Sequence, residues 1–337
     1  MSASLPVMSE SSPSVHIERL LRPNRIRQHA LDELRDHLGR TPRSLPSRHF
    51  YDDRGAALFD AITRLDVYYP TRAEAGLLAD VADRVAESVR ADELVELGPG
   101  SGGKTRLLLD AMRRAGGGRR YVPIDVSEAF VRQVAENLLA DDPTLEIHGM
   151  VADFVVDLGH LPPAERRLVA FLGGTIGNLD PDDDGVAFLR RLRTVLDDDD
   201  RLLLGTDLIK SAPIIEAAYN DAEGVTAAFN RNILSVINTR FDANFRPEAY
   251  RHHAFYEPEH RRIEMHLRPI APQSVRVGAL GLDFTLAAGE PLRTEISTKF
   301  DRPRVERLLT SAGFALTDWF TDAEARFALS LARPLRA

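Results

Sequence analysis

Hydrophobic positions in the middle of the chain follow two alternating patterns. Short apolar runs of about five residues alternate with longer stretches in which apolar residues recur every three to four positions. The first pattern predicts buried parallel strands, and the second predicts amphipathic helices. The predicted strands are 94–97, 121–125, 146–151, 168–172 and 201–207, and the predicted helices between them are 105–114, 128–139 and 185–195. This order is typical of a doubly wound parallel sheet with helices on both faces.

The region before this alternation is predicted to be mainly helical. Apolar residues in 15–38 recur at helical spacing with an interruption near Pro23, so two short helices are expected there. A helix is predicted over 56–65 and another over 72–87. Thr71 would cap the latter, because Pro70 favours an extended conformation at residue 69.

The alternation stops after residue 207. Helices are predicted over 212–219 and 224–240, followed by strands of an antiparallel sheet at 252–256, 262–267, 275–277, 284–286 and 292–296. A helix over 303–311 and a hairpin of 315–320 and 327–331 then close the chain. The antiparallel strands therefore interrupt the core before its last hairpin.

This arrangement predicts an α/β fold with two domains. A core of residues 57–207 and 287–337 would form the doubly wound sheet with its closing antiparallel hairpin. Residues 14–56 and 208–286 would form a mixed α+β second domain that binds the substrate. Residues 1–13 are rich in Ser and Pro and lack the apolar stretch of a signal peptide, so we expect a disordered lead-in.

Composition excludes several classes of function. A net charge of -8 argues against a nucleic-acid-binding surface. The sequence contains no apolar run of about 18 residues, the length that a transmembrane helix needs, so no such helix is predicted. The chain has no cysteine, which excludes thiolate nucleophiles and Cys-bound metals and fits a reducing cytoplasm. The acidic runs 182–184 and 197–200 are interpreted as a helix start and a turn, so no metal is predicted. We expect a cytoplasmic monomer that acts on a small molecule.

A glycine-rich loop follows the first predicted parallel strand. Gly98, Gly100 and Gly102 would let the backbone approach a ligand closely, and the helix start behind them would offer free N–H groups. Asp125 ends the next strand, about 20 residues on, where an acidic residue can hold ribose hydroxyls. The G-x-G-x-G spacing resembles the first motif of S-adenosylmethionine-dependent methyltransferases. In these enzymes an Asp-aromatic pair after a later strand lies beside the adenine, a place taken here by residues 153–154.

A polar residue is delivered to the mouth of the predicted crevice. The strand 168–172 runs into residues 173–178, and its carboxyl end would lie beside that of the first strand. Asn178 is therefore a candidate for holding a substrate, although it could also serve only to cap the turn.

Several longer segments resemble one family, the S-adenosylmethionine-dependent histidine Nα-methyltransferases that form hercynine in the ergothioneine pathway. These segments are 50–52, 68–72, 171–178, 204–207, 224–232, 262–265 and 294–300, and the resemblance extends over nearly the whole chain from about residue 45. It implies successive methylation of the α-amino group of L-histidine to the trimethylated product. S-adenosylmethionine would be the methyl donor.

The resemblance also implies the site residues. Cofactor contacts are expected at Tyr68, Gly98, Lys104, Asp125, Asp153 and Phe154. Substrate contacts are expected at Tyr51, Gly173, Asn178, Tyr219, Met265, Glu295 and Ser297.

The implied roles divide by chemical group. Asn178 and Tyr219 would bind the substrate carboxylate, and the backbone of Gly173 would lie near the amine. Glu295 and Ser297 would hydrogen-bond the imidazole nitrogens, with Tyr51 near the ring and Met265 packed on it. No nucleophilic side chain is expected, because the amine attacks the methyl group directly and Asn178 and Tyr51 would serve its alignment.

Other interpretations of these residues stay open. Tryptophan is the alternative substrate within the methyltransferases, although Glu295 suits an imidazole better than an indole with one N–H. The glycine loop and Asp125 also fit an NAD-dependent oxidoreductase, although the sequence has no evident hydride-transfer site. A non-catalytic subunit is a third possibility, against which the presence of Asn178, Tyr219 and Glu295 argues.

Overall fold

The fold is described from a computed structural model. It covers residues 15–20, 23–100, 102–155 and 157–336, with the backbone alone described for residues 23–26. The predicted lead-in, 1–13, lies outside the described residues. None of the helices described is both long and apolar enough to cross a lipid bilayer.

The described residues form nine α-helices and thirteen β-strands. The α-helices are α1 (Pro23–Gly39), α2 (Asp53–Thr63), α3 (Tyr69–Val89), α4 (Gly103–Arg114), α5 (Glu128–Asp141), α6 (Asp184–Thr194), α7 (Ala212–Tyr219), α8 (Val225–Phe241) and α9 (Arg302–Ser311). The strands are β1 (Val15–Arg19), β2 (Glu93–Leu97), β3 (Arg120–Asp125), β4 (Glu146–Val151), β5 (Arg167–Phe171), β6 (Arg201–Asp207), β7 (Tyr250–Glu257), β8 (Arg262–Pro269), β9 (Gln273–Val277), β10 (Leu282–Leu286), β11 (Leu292–Thr298), β12 (Phe314–Thr321) and β13 (Phe327–Pro334).

The larger sheet has the strand order β1-β4-β3-β2-β5-β6-β13-β12. Strands β1 to β6 are parallel, whereas β13 runs antiparallel to β6 and pairs with β12 as a closing hairpin. The predicted doubly wound sheet with its closing hairpin is confirmed. Because the order reverses between β2 and β5, the carboxyl ends of these two strands open a crevice.

Alternating side chains of the central strands enter two separate hydrophobic layers. Leu94 and Leu168 pack on one face with residues of α3, α4 and α5. Val95 and Val169 pack on the other face with residues of α6 and α9. All five residues of β2 are buried, as expected for a strand covered on both faces.

A third hydrophobic cluster supports the smaller sheets. It combines residues from α1, α2, α7 and α8 with residues of β7, β8 and β11. The predicted antiparallel strands are present, but they form two sheets and not one: β7, β8 and β11 form a three-stranded sheet, and β9 and β10 form a separate ribbon. A short turn closes that ribbon through Gly281, whose φ of +59° suits glycine, so β9 and β10 pair with each other.

The first segment of the chain was predicted incorrectly. Residues 15–19 form strand β1, which pairs in parallel with β4, and only α1 replaces the two expected helices. The sequence Val-His-Ile-Glu-Arg alternates apolar and polar residues, a pattern that fits an edge strand. Pairing also satisfies the backbone groups of β4, which would otherwise form the sheet edge.

Helix α3 begins earlier than predicted. Tyr69, expected to be extended, is its first residue, and Pro70 lies in its first turn. Proline is well tolerated there because the first N–H groups of a helix have no intrahelical acceptor. Thr71 is therefore inside the helix and is not its cap. The acidic runs are placed as predicted, since Asp184 begins α6 and Asp200 accepts the backbone N–H of Arg167 at 2.8 Å.

The segment between β6 and α9 begins and ends at neighbouring positions beside the larger sheet. The N–H of Phe300 donates to the carbonyl of Asp207 at 2.8 Å, and the N–H of Ile209 donates to the carbonyl of Phe300 at 2.8 Å. The predicted domain boundaries placed β1 with the second domain and β11 with the core, whereas β1 pairs in the larger sheet and β11 in the smaller one. The division into two domains stays a proposal.

Candidate active site

The loop after β2 forms a cradle made of glycine backbone. Gly98, Gly100 and Gly102 have φ angles of +68°, +56° and +77°, a region that residues with a Cβ enter with strain. A Cβ at Gly98 would lie 3.8 Å from the Phe154 ring. Phe154 therefore lies directly beside the Gly98 end of the loop.

A buried carboxylate on β2 lies next to this loop. Glu96, on β2, accepts hydrogen bonds from the Thr105 hydroxyl at 2.5 Å and the Tyr121 hydroxyl at 2.8 Å. Burial raises the pKa of Glu96, while the two hydroxyls lower it. Glu96 thus joins β2, α4 and β3 around the glycine cradle, which gives a structural reason for the acidic residue that precedes the loop.

Asp125 ends β3 at the same edge of the sheet. Its carboxylate accepts the N–H of Ser127 at 2.8 Å, which orients it at the strand end. Burial raises the pKa of Asp125 to about 6. At neutral pH the group is therefore mostly ionised and able to accept hydrogen bonds from a ligand.

Replacing Asp125 by alanine should weaken S-adenosylmethionine binding by about 1.5 to 3 kcal/mol, the range for hydrogen bonds to a charged group. Because the ionised carboxylate is the acceptor, wild-type affinity should fall as the pH drops through about 6. Titration calorimetry at several pH values measures both effects. The exposed Asp110 on α4 provides a matched control, and equal affinities for wild type and the Asp125 variant would remove Asp125 from the site.

Asp153 and Phe154 lie in the loop after β4. The Phe154 ring packs against Phe171 and Phe188, with centroid distances of 5.6 and 6.0 Å. The Asp153 carboxylate accepts the N–H of Val155 at 2.9 Å and a hydrogen bond from Arg48 at 3.1 Å. Arg48 therefore ties the segment between α1 and α2 to this loop.

Lys104 and Gly173 are connected through a carboxylate that the sequence did not single out. Glu74, on α3, forms an ion pair with the Lys104 ammonium and accepts the N–H of Gly173 at 2.7 Å. The Glu74 side chain is 1% exposed. One carboxylate thus positions a residue predicted for the cofactor and a residue predicted for the substrate.

Asn178 reaches across the crevice to the smaller sheet. It ends a short helical turn, Thr175–Asn178, and its side-chain amide donates to Glu295 on β11 at 3.3 Å. Glu295 lies opposite Met265 in the pairing of β11 with β8. Burial raises the pKa of Glu295 to about 7, although Lys299 and Asn178 lower it. Asn178 therefore does more than cap a turn.

Tyr219 and Ser297 converge on a buried lysine. The Lys299 ammonium lies 2.9 Å from the Ser297 hydroxyl and 3.4 Å from the Tyr219 hydroxyl. It also forms an ion pair with Asp207 at 2.8 Å. The Tyr68 ring is next to Tyr219, with a centroid distance of 6.2 Å.

Tyr51 lies at the open side of this region, with 45% of its surface exposed. Its ring contacts Phe59 and Phe229, with centroid distances of 5.7 and 5.9 Å. The adjacent Asp52 has a structural role, because it caps α2 through Gly55 and accepts a hydrogen bond from Asn232 at 2.7 Å. The motif around Tyr51 therefore places one exposed ring against the buried Phe229 and the partly buried Phe59.

The contacts bring most of the predicted residues together in pairs. They join Gly98 with Phe154, Lys104 with Gly173 through Glu74, Asn178 with Glu295, and Ser297 with Tyr219 through Lys299. Sequence reasoning missed the connecting residues Glu74 and Lys299. The scarcity of lysine was one available signal for the last of these.

A glycine cradle and an acidic strand end, on a doubly wound sheet closed by an antiparallel hairpin, define a class I S-adenosylmethionine-dependent methyltransferase. The family model for histidine-specific, S-adenosylmethionine-dependent methyltransferases matches residues 30–334. The chain belongs to this family.

Two relatives have names that agree with this assignment, and a third is named for a different amino acid substrate. The chain is 47% identical over 300 residues to a histidine N-alpha-methyltransferase of Mycolicibacterium smegmatis, covering 89% of this chain and 93% of that protein. It is 31% identical over 211 residues to ergothioneine biosynthesis protein 1 of Schizosaccharomyces pombe, covering 59% of this chain and 27% of that protein. An L-tryptophan methyltransferase of Psilocybe serbica is 26% identical over 313 residues, with 85% and 87% covered.

Proposed function

We propose that this enzyme transfers methyl groups from S-adenosylmethionine to the α-amino nitrogen of L-histidine, three times in succession, and so forms hercynine for ergothioneine biosynthesis. The observation that carries the proposal is the polar end of the crevice, where Glu295 and Ser297 lie two residues apart on β11 and Asn178 faces Glu295. A carboxylate and a hydroxyl there suit the two nitrogens of an imidazole.

The residues present fit the methyl donor. Asp125 would hold the ribose hydroxyls, the backbone of Gly98 would pass close to the nucleoside, and Phe154 and Asp153 would border the adenine. Tyr68 and Lys104 would complete the contacts, with the tyrosine ring close to the positive centre. When bound, S-adenosylmethionine supplies an electrophilic methyl group on a sulfonium.

The chain's own contribution to the reaction is mainly orientation. Asn178 and Tyr219 would fix the substrate carboxylate, and Glu295 and Ser297 would fix the ring, so the amine between these anchors is held in one direction. Correct alignment at about 3 to 3.5 Å accounts for a large share of the rate of such a displacement. A neutral fraction of the amine exists near pH 8, so we assign no residue as a dedicated base.

Histidine is favoured over tryptophan by the polarity of this end of the pocket. An indole has a single N–H and no ring acceptor, so it could pair with Glu295 but would leave the Ser297 hydroxyl without an acceptor. An unpaired polar group in a partly buried site lowers affinity by far more than a poor fit of shape.

Mass spectrometry of histidine incubated with enzyme and excess S-adenosylmethionine tests the proposal. We expect accumulation of the trimethylated product, because the anchors for carboxylate and ring stay the same while only the amine changes. Product that stops at monomethyl-histidine would contradict the proposed product. Methylation of tryptophan at a similar rate would contradict the proposed substrate.

The match to the methyltransferase family argues against the NAD-dependent oxidoreductase. Equilibrium dialysis should therefore show binding of S-adenosylmethionine and no binding of NADH. The cytoplasmic location and the monomeric state stay predictions. Light scattering measures the oligomeric state.

A further inference from the structure

The chain contains only three lysines, and each lies against a buried carboxylate beside the crevice. Lys104 pairs with Glu74, and both Lys210 and Lys299 pair with Asp207, at 2.5 and 2.8 Å. All other residues counted among the lysines and arginines of the chain are arginines. Lysine is therefore confined to positions where a compact ammonium meets a buried anion.

Lys299 is the most buried of the three, with 0% of its side chain exposed. Its ammonium has three acceptors: Asp207 Oδ2 at 2.8 Å, Ser297 Oγ at 2.9 Å and Tyr219 Oη at 3.4 Å. Burial on its own would lower the pKa of Lys299, but Asp207 and Tyr219 raise it above its usual value. The group therefore stays charged at neutral pH.

The charge fixes the direction of these hydrogen bonds. An ammonium can only donate, so both hydroxyl oxygens must accept from Lys299. Each hydroxyl has a single proton, which is then directed away from the ammonium and remains available to another acceptor. Asp207 holds the ammonium in place, because it is itself held by the Tyr69 hydroxyl at 2.8 Å and by Lys210.

We propose that Lys299 is a positioning residue that turns the hydroxyl protons of Tyr219 and Ser297 toward the substrate. This inference rests on the proposed function and extends it. Tyr219 then donates to the substrate carboxylate, and Ser297 donates to a ring nitrogen that carries a lone pair. With Glu295 accepting from the other ring nitrogen, the pocket selects a neutral imidazole with one N–H and one acceptor.

A double-mutant cycle tests whether Lys299 acts through these hydroxyls. Lys299→Met should lower kcat/KM for histidine by about 10- to 100-fold, the effect of losing hydrogen bonds to a charged group. In the Ser297→Ala/Tyr219→Phe background the same substitution should cost less than about 3-fold, because no hydroxyl remains to be oriented. Equal losses in both backgrounds would overturn the proposal.

Lys210→Met is the matched control. It removes the other cation from Asp207 but leaves all three contacts of Lys299 in place. Its effect on kcat/KM should be the same in both backgrounds. If Lys210→Met instead lost much more kcat/KM in the wild-type background than in the Ser297→Ala/Tyr219→Phe background, as Lys299→Met is expected to do, the proposal would be overturned. The charge balance at Asp207, and not the orientation of the hydroxyls, would then explain the coupling.

The pH profile gives a readout that a purely structural role would not move. The pKa of Glu295 is about 7, and Lys299 is a charge that lowers it. The other groups around Glu295 are Asn178 and the hydroxyls of Tyr51, Tyr68 and Tyr219. Lys299→Met should shift the acid limb of kcat/KM to higher pH, whereas Lys210→Met should leave it in place. Free histidine ionises in the same way in the assay of every variant, so its own titration does not contribute to a difference between their pH profiles.

A second variant covers the case in which the lysine substitution prevents folding. If Lys299→Met does not fold, as judged by its thermal melt and its affinity for S-adenosylmethionine, Lys299→Met/Asp207→Asn removes both charges of the pair and should lose activity to the same extent. Full activity in that variant would overturn the proposal. The cycle uses whichever amino acid the wild type methylates, so a failure of the coupling is distinguishable from a failure of the proposed substrate.

Discussion

Replacing Glu295 by alanine or leucine is expected to lower kcat/KM for histidine by about 30-fold or more, which corresponds to roughly 2 kcal/mol. The carboxylate faces the Asn178 amide at 3.3 Å on the polar side of the crevice, so its loss would leave an imidazole N–H without its acceptor. Phenylalanine and tryptophan should lose little activity or gain some. Steady-state kinetics with the three amino acids measure the change in selectivity.

The control is Glu259→Ala, since this residue lies exposed in the turn between β7 and β8 of the same sheet. The alternative role for Glu295 is a solvent-facing ion pair with an Arg or Lys. Among the described residues Glu295 forms no salt bridge within 4.0 Å, and its side chain is only partly exposed. If the ratio of histidine to tryptophan kcat/KM stays unchanged in the variants, selectivity would have to arise from Ser297 and Tyr51.

Glu74→Ala is expected to have the largest effect on stability, lowering the free energy of unfolding by about 3 kcal/mol. The substitution leaves the N–H of Gly173 without its acceptor and the Lys104 ammonium without its counterion. Glu74→Gln should cost less, because the amide oxygen can still accept from Gly173. Urea denaturation measures the free energy of unfolding, and calorimetry measures the affinity for S-adenosylmethionine.

Glu87→Ala on the exposed side of the same helix is the matched control, and it should change stability by less than about 0.5 kcal/mol. Similar losses for the Glu74 and Glu87 variants would mean that helix propensity, and not the buried contacts, determines the effect. Unchanged affinity for the methyl donor in Glu74→Gln would restrict Glu74 to the stability of the fold.

The cofactor half of the site could be predicted from local sequence because its signals are local. A buried apolar run, a glycine loop and an acidic strand end lie within about 30 residues, and the parallel alternation fixes which edge of the sheet they share. Parallel strands buried on both faces also leave long apolar runs that are easy to locate. The parallel strands β2 to β6 were therefore predicted within one residue of their observed bounds.

The connecting residues could not be predicted in this way. Glu74 accepts from a residue 99 positions away, and Lys299 binds Tyr219 from 80 positions away. An acidic residue in an amphipathic helix normally faces solvent, so nothing in its neighbourhood marks Glu74 as buried. Strand β1 was missed for a related reason, since five residues at a sheet edge are stabilised by a partner strand about 130 residues away.

The backbone hydrogen bonds that join Asp207 and Ile209 to Phe300 have an evolutionary consequence. A segment whose two ends are held side by side can lengthen, shorten or be exchanged without altering the order of the strands that bind the methyl donor. Within this architecture the donor half and the acceptor half can diverge at different rates. We expect a chimaera that receives residues 23–65 and 208–299 from a relative with another amino acid substrate to fold around the same donor site, because those regions share one hydrophobic cluster and would have to move together.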